Sequence, residues 1–290
     1  MKTHKAPSTA GGTRTKGKRK SGIAGQPLVS IVTVVRNGEA HLEEAIRSVL
    51  DQDYRNIEYL IIDGASTDHT LEIIRRNENR IDYWVSEPDN GIYDAMNKGI
   101  ALAGGDIIGI LNADDFYRNN AVGRIAGAAL AHPEAEVFHG NLLLIRKNDF
   151  EEIRRPRIGK KKYRPYLMPV NHPTVFVRSR CYERCGVFDP AYRTAADFDL
   201  MLRLLHDCRV GFYYLDATLA CMREGGESGR YGEDTYGDIV AILEKRNLPR
   251  GAILRFMMWY RWLMLMQFAN RFGLFRALAP LYYKLRRSGA

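Results

Sequence analysis

The stretch Gly104-Gly105-Asp106-Ile107-Ile108-Gly109-Ile110-Leu111-Asn112-Ala113-Asp114-Asp115 constrains this chain more than any other. Residues 107–111 carry no charge and are dominated by β-branched side chains, the composition of a strand covered on both faces. The strand stops at two adjacent carboxylates, Asp114 and Asp115. At the C-terminal end of a strand in an open α/β sheet, these face the crevice where such sheets hold ligands. Neighbouring carboxylates repel unless a cation or a shared proton offsets them. A hard divalent cation bridging them to phosphate oxygens meets that need; a solvated turn with two exposed Asp is the alternative.

The elements around this stretch follow one rhythm. Residues 28–35 (LVSIVTVV) read as a strand ending at the turn Arg36-Asn37-Gly38, and 39–50 then place apolar residues at helical spacing. Residues 57–62 are a second strand closed by Asp63-Gly64-Ala65-Ser66-Thr67-Asp68, with helical spacing resuming at Leu71. Residues 81–85 are a third strand, and Glu87-Pro88-Asp89-Asn90-Gly91 leads into a helix over 92–103. Strand and helix alternating at this spacing predict an α/β fold, a mostly parallel central sheet with helices on both faces. No GxGxxG follows the first strand, which argues against a nicotinamide or flavin Rossmann domain. The second half predicts strands at 137–145, 174–177 and 210–214 and helices from Thr194 to Leu205 and over 231–246.

The net charge of +9 is uneven: residues 1–26 carry seven Lys or Arg, residues 251–290 another seven, and neither end has an acid. The body between is therefore net acidic, which argues against a nucleic-acid partner. Residues 1–26, poor in apolar groups, are expected as a disordered basic arm whose removal leaves activity unchanged. Residues 27–250 are expected as the catalytic domain and 251–290 as a basic, apolar helical extension. The longest uncharged run there, 262–270, is too short to span a bilayer. That leaves a membrane-surface contact through residues 252–290, or a helical cap or subunit interface. Cys181, Cys185, Cys208 and Cys221 form no CxxC pair and are expected as reduced, mostly buried thiols.

The remaining acids fall at predicted strand ends. Asp63 with Asp68 suits recognition of a ligand hydroxyl or base, or helix capping; Glu87 with Asp89 carries the same ambiguity. Asp197 suits a general base, or an acid favoured at a helix start by the dipole. Residues 154–164 hold seven basic groups, among them Arg154, Arg155, Lys160, Lys161 and Lys162, fit for phosphate or for a solvated loop.

In order along the chain, VSIVTVVRNG (29–38), DGASTDHT (63–70), SEPDNGIYDAMNKGI (86–100), GILNADD (109–115), NHPTVFV (171–177), AADFDLMLRL (195–204) and MREGGES (222–228) resemble the family 2 glycosyltransferases, notably bacterial enzymes of exopolysaccharide, O-antigen or glycolipid synthesis. The resemblance implies a GT-A domain, a nucleotide-diphosphate sugar donor, a divalent metal (Mg²⁺ or Mn²⁺) and inversion at the anomeric carbon. It places Thr33, Val35 and Asp63 in the nucleoside pocket, with Asn37, Asp68 and Ala113 around it, and Asp89, Asn90 and Gly91 near the donor. Asn112 and Asp114 occupy the two acidic positions of the usual Asp-x-Asp, which makes Asp114 the metal ligand and Asp115 a second candidate. Asn112 brings a carbonyl but no charge. Asp197 falls at the catalytic base, with Ala196 where a Glu is usual, and His172 is a candidate contact to acceptor or phosphate. The implied acceptor is a glycan or a polyprenyl-diphosphate-linked sugar, and the implied location cytoplasmic, peripheral on the inner face of the bacterial membrane. A nucleotidyltransferase, and an inactive glycosyltransferase-like scaffold, are the competing readings.

Overall fold

The computed structural model describes residues 9–146, 150–158, 167–225 and 232–271. In chain order the elements are β1 (Thr9–Gly11), β2 (Val29–Val35), α1 (Leu42–Leu50), β3 (Ile57–Asp63), α2 (Thr70–Arg76), β4 (Tyr83–Ser86), α3 (Ile92–Leu102) and β5 (Ile107–Asn112). The second half adds β6 (Phe116–Tyr117), α4 (Ala121–Ala131), β7 (Val137–Ile145), β8 (Glu151–Arg154), β9 (Phe176–Arg178) and α5 (Ser179–Cys185). It closes with α6 (Ala196–Leu202), β10 (Phe212–Arg223), α7 (Glu233–Lys245) and α8 (Arg250–Arg271). The strands form one sheet in the order β1-β4-β3-β2-β5-β9-β7-β10-β6, with β8 paired to β7.

The sheet is mixed, which corrects the expectation of a mostly parallel one. β4, β3, β2 and β5 run parallel, as do β7 and β10. β9 then enters antiparallel between β5 and β7, and β1, β6 and β8 are antiparallel additions. The parallel strands have continuous apolar runs because both their faces are covered. One face packs against α1, α2 and α4 through Ile31, Tyr59, Ile61 and Leu111. The other packs against α3, α5, α6, α7 and α8 through Val32, Leu60 and Ile110. α3 lies so close to β2 that a Cβ at Gly99 would sit 2.1 Å from Val32 Cγ1.

Within the predicted disordered arm, residues 9–26 are ordered against the domain, for an identifiable reason. Without them β4 would be an open sheet edge. β1 pairs with it, and the chain runs on through Thr13 N–H to Ile81 O (3.0 Å) and Arg14 N–H to Asp82 O (2.8 Å). Lys20 Nζ then reaches Asp82 Oδ2 at 2.8 Å, and Arg14 donates to Leu102 O at 2.7 Å. Gly11 lies on Trp84, where a Cβ would meet the indole at 2.6 Å. Arg14, Lys16 and Lys20 of the arm are thus held by carboxylates and carbonyls of the domain.

Cys185 and Cys208 are joined as a disulfide across a sequence separation of 23, correcting the expectation of four thiols; Cys181 and Cys221 are free and buried. The predicted i,i+4 pair of Asp199 and Arg203 is present at 2.7 Å. α8 buries Phe256 and Tyr260, with Tyr236 of α7 at 6.2 Å from the Phe256 ring, and leaves Leu254, Met258 and Leu265 exposed. Among the described residues no helix is long and apolar enough to cross a membrane.

Two expectations follow. Deleting residues 1–26 uncovers Trp84 and the β4 edge, so the melting midpoint read by calorimetry falls by several degrees; an unchanged midpoint would mean the arm is dispensable. His139, on β7, is 1% exposed, and among the described residues neither ring nitrogen has a hydrogen-bond partner. Burial pushes its pKa down from 6.5 to about 4. The unfolded chain therefore takes up this proton first as the solution is acidified. The stability tied to a neutral His139 is complete above pH 6.5 and drains away as pH falls towards about 4, on the order of 3 kcal/mol. His139→Phe should flatten that part of the urea-midpoint profile.

Candidate active site at the C-terminal edge of the sheet

Strand register builds the site. Val35 of β2 lies opposite Asp63 of β3, Asp63 opposite Ser86 of β4, and Val34 opposite Asn112 of β5. The segments 36–39, 64–69, 87–91 and 113–115 consequently leave the sheet along one edge. Two glycines bring them into contact. A Cβ on Gly38 would lie 3.4 Å from the Ala113 methyl, and one on Gly64 would lie 2.3 Å from Asp89 Oδ2. Thr33 is fully buried below this edge, its hydroxyl 3.1 Å from Tyr59 Oη, whereas Val35 reaches the rim.

Asp63 is buried and saturated. It accepts from the Ser66 amide (3.1 Å), from the Ser66 hydroxyl and from Ser86 Oγ across the β3–β4 ladder. The segments after β2 and β3 then interlock. Asn37 N–H donates to Ser66 Oγ (2.7 Å), Gly38 N–H to Thr70 Oγ1 (2.9 Å) and Glu39 N–H to Asp68 Oδ2 (3.1 Å). In return Thr67 N–H reaches Asn37 Oδ1 (2.8 Å) and His69 N–H reaches Glu39 Oε2 (3.0 Å). Burial pushes the Asp68 carboxyl up, but its bonds from Thr70 and Glu39 together outweigh this and hold it below the usual range. Asn37, Asp63 and Asp68 thus shape the rim through their own hydrogen bonds. Asp89 Oδ1 accepts from Gly91 N–H (3.0 Å) and Asn90 N–H donates to Asp94 Oδ2 (2.9 Å). Gly91 has φ 113°, a left-handed value that suits glycine. Glu87 is held by Lys98 at 3.1 Å, which gives it a structural role.

At the end of β5 the polar groups are not satisfied. Asp115 is 2% exposed, and its Oδ1 and the Asn112 Oδ1 are buried without a hydrogen-bond partner among the described residues. Asn112 Nδ2 reaches Asp115 Oδ2 only at 3.5 Å. Burial first, and the Asp114 charge second, push the Asp115 carboxyl well above the usual range. Arg223 of β10 braces the turn by donating to Asp114 O at 3.1 Å while pairing with Glu44. Orphaned buried oxygens cost free energy unless something fills the site. Among the described residues no three of His, Cys, Asp and Glu converge as a metal cage. The donor set present, two carboxylates and an amide carbonyl, fits a hard cation that completes its shell with phosphate and water oxygens.

Asp197, at the start of α6, accepts from Phe198 N–H (2.8 Å) and from the Tyr93 hydroxyl (3.1 Å) on Oδ1. The Tyr93 ring stacks on Phe188 at 5.4 Å, and the His172 ring meets Phe188 edge-on at 5.9 Å. Burial holds His172 below the usual imidazole range, against the pull of the Asp197 charge. Arg154 ends β8, and its carbonyl accepts from Asn171 Nδ2 at 2.9 Å, bringing the basic segment to the neighbour of His172. Arg155 lies beside Asp216 and Tyr214. Lys160, Lys161 and Lys162 lie outside the described residues, as do residues 226–228 of the late motif.

Pattern reading passes over Tyr93, Ser66, Ser86, Thr70 and Arg223. Ser86 carries a usable signal, since it closes a parallel strand in register with Asp63; Tyr93 carries none, because its partner is 104 residues away.

Glycine-shaped turns and carboxylates collected at the C-terminal rim of an α/β sheet mark the place where folds of this class hold a ligand. Residues 30–184 match the family described as Glycosyl transferase family 2. An uncharacterized glycosyltransferase of Mycobacterium tuberculosis (strain ATCC 25618 / H37Rv) is 33% identical over 186 residues, spanning 63% of this chain and 70% of the relative. A PGL/p-HBAD biosynthesis glycosyltransferase of Mycobacterium bovis (strain BCG / Pasteur 1173P2) is 27% identical over 206 residues, spanning 69% and 78%. In three dimensions, S. aureus TarS 1-349 in complex with UDP-GlcNAc superposes with TM-score 0.60 at 16% identity, over 80% of this chain and 71% of that one. Mannosyltransferase PcManGT from Pyrobaculum calidifontis, in complex with GDP-Man and Mn²⁺, gives 0.59 at 18% identity, over 95% and 85%. The chain belongs to glycosyl transferase family 2 and is a glycosyltransferase with a GT-A-like fold.

Gly64→Ala drives a methyl into Asp89 Oδ2 and displaces that side chain. The fold, judged by circular dichroism, should persist, while the KM for the sugar donor rises about tenfold; an unchanged KM would separate Asp89 from donor binding.

Proposed function

We propose that the chain moves a sugar from a nucleotide-diphosphate donor to a hydroxyl of a glycan or lipid-linked acceptor, with inversion at the anomeric carbon. The single observation that carries this reading is the pair of orphaned buried oxygens, Asn112 Oδ1 and Asp115 Oδ1, beside Asp114 at the mouth of the sheet. Asp114 and Asp115, with the Asn112 carbonyl, would hold a divalent ion there. Such an ion supplies positive charge against the negative charge that grows on the diphosphate as the glycosidic bond lengthens. The rim of Val35, Asn37, Asp63, Asp68 and Ala113 borders the nucleoside, and the Asp89-Asn90-Gly91 turn borders the sugar. The relatives solved with UDP-GlcNAc and with GDP-Man and Mn²⁺ support a donor and metal of this class.

Asp197 is the base: one carboxylate oxygen is fixed by two donors, and the other, to which nothing donates among the described residues, takes the proton of the attacking hydroxyl. Direct attack needs no enzyme nucleophile. His172, kept neutral by burial, and the Arg154–Arg155 segment beside it suit an acceptor bearing phosphate. The exposed Leu254, Met258 and Leu265 of α8, interspersed with Arg255 and Arg261 and no acid, support contact with an anionic membrane surface where a lipid-linked acceptor resides. The open competitor, a nucleotidyltransferase, has family membership against it.

The test is release of nucleoside diphosphate from a panel of UDP-, GDP- and dTDP-sugars with Mg²⁺ or Mn²⁺, then with chelator. One donor should be turned over, and Asp114→Ala and Asp197→Ala should each lower kcat by about a hundredfold or more. Full activity in Asp114→Ala would remove the metal assignment, and in Asp197→Ala the base.

A further inference from the structure

Tyr93 is the second residue of α3, the helix that follows directly on the Asp89-Asn90-Gly91 turn. Its hydroxyl and the Phe198 amide converge on the same atom, Asp197 Oδ1, at 3.1 and 2.8 Å. Among the described residues nothing donates to Oδ2 of that carboxylate. With one oxygen held by two donors from different elements, rotation of the carboxylate about its Cβ–Cγ bond is blocked and the second oxygen has a fixed bearing. We infer that Tyr93 is a positioning residue of this transferase, aiming the Asp197 carboxylate at the acceptor hydroxyl from the same helix start that follows the donor turn. The inference rests on Asp197 being the base.

Tyr93 is well placed for this because it cannot itself wander. Its ring is buried and stacked on Phe188. Phe188 is tied to α3 one turn further on by a reciprocal pair: Asn97 Nδ2 donates to Phe188 O (2.8 Å) and Phe188 N–H to Asn97 Oδ1 (3.0 Å). The close approach of Gly99 to Val32 pins the helix to β2. Burial, and then the Asp197 charge, push the phenol well above its usual range, so it stays protonated and keeps its proton for the carboxylate. The turn bordering the sugar and the side chain that orients the base thus belong to one rigid unit. A misaimed base loses rate without losing donor binding.

Tyr93→Phe deletes the hydroxyl and keeps the ring. Release of nucleoside diphosphate would be measured with water as acceptor, on whichever of UDP-GlcNAc or GDP-mannose the wild-type chain hydrolyses. The expected result is a fall in kcat of about tenfold at unchanged donor KM and a melting midpoint within two or three degrees, roughly, of wild type. In an Asp197→Asn background, Tyr93→Phe should have no further effect on kcat. Phe188→Leu, which loosens the stack that steadies Tyr93 but spares the hydroxyl, should lower the midpoint and cost kcat clearly less than Tyr93→Phe does, about threefold or less. An unchanged kcat in Tyr93→Phe, a loss that multiplies in the Asp197→Asn background, or an equal kcat loss in Phe188→Leu would each overturn the inference. Near-normal kcat in Asp197→Asn alone would instead overturn the base reading on which it rests.

Discussion

The parallel ladder β4-β3-β2-β5 is the constraint from which the rest of this protein follows. Its registers set Asp63 opposite Val35 and Asn112 opposite Val34, and each strand hands its chain to a turn on the same side. Parallel strands return through a crossover, here a helix, so α1, α2 and α3 each begin on the side of this rim. Four segments distant in sequence share the rim without a loop being stretched to reach it. The two glycines at the contacts, Gly38 and Gly64, let backbones and carboxylates approach where a side chain would hold them apart.

Within that rim polar satisfaction is divided sharply. The β2 and β3 turns consume their own donors and acceptors in a reciprocal lattice of Asn37, Glu39, Ser66, Asp68 and Thr70, which makes a stiff wall. The β5 turn leaves oxygens of Asn112 and Asp115 bare in a place where water access is poor. A protein tolerates such unpaired groups where something else is to pair with them. The contrast between a self-satisfied wall and an unsatisfied floor separates architecture from chemistry more clearly than the positions of the acids alone.

Much of this was legible in residue order. The four parallel strands announce themselves by continuous β-branched runs, and their ends by Asn37-Gly38, Asp63-Gly64, Asp89-Asn90-Gly91 and Asn112 to Asp115. The short antiparallel strands were less so. β1, β6 and β8 have two to four residues each, too few for a period to register, and they exist only because a neighbour's edge is waiting. For the same reason residues 9–26 read as an unstructured arm: their stabilising partners, Trp84, Asp82 and Glu58, belong to strands far along the chain. The Cys185–Cys208 link and the contact of Tyr93 with Asp197 are likewise facts of tertiary proximity, invisible to spacing.

The short N-terminal strand has a consequence for how these molecules meet one another. A bare β4 would present a ladder of amides and carbonyls to any extended peptide, including a sister chain emerging from the ribosome. By supplying its own three-residue border, glycine-ended and followed at once by a helical turn, the polypeptide offers newcomers almost nothing to zip onto.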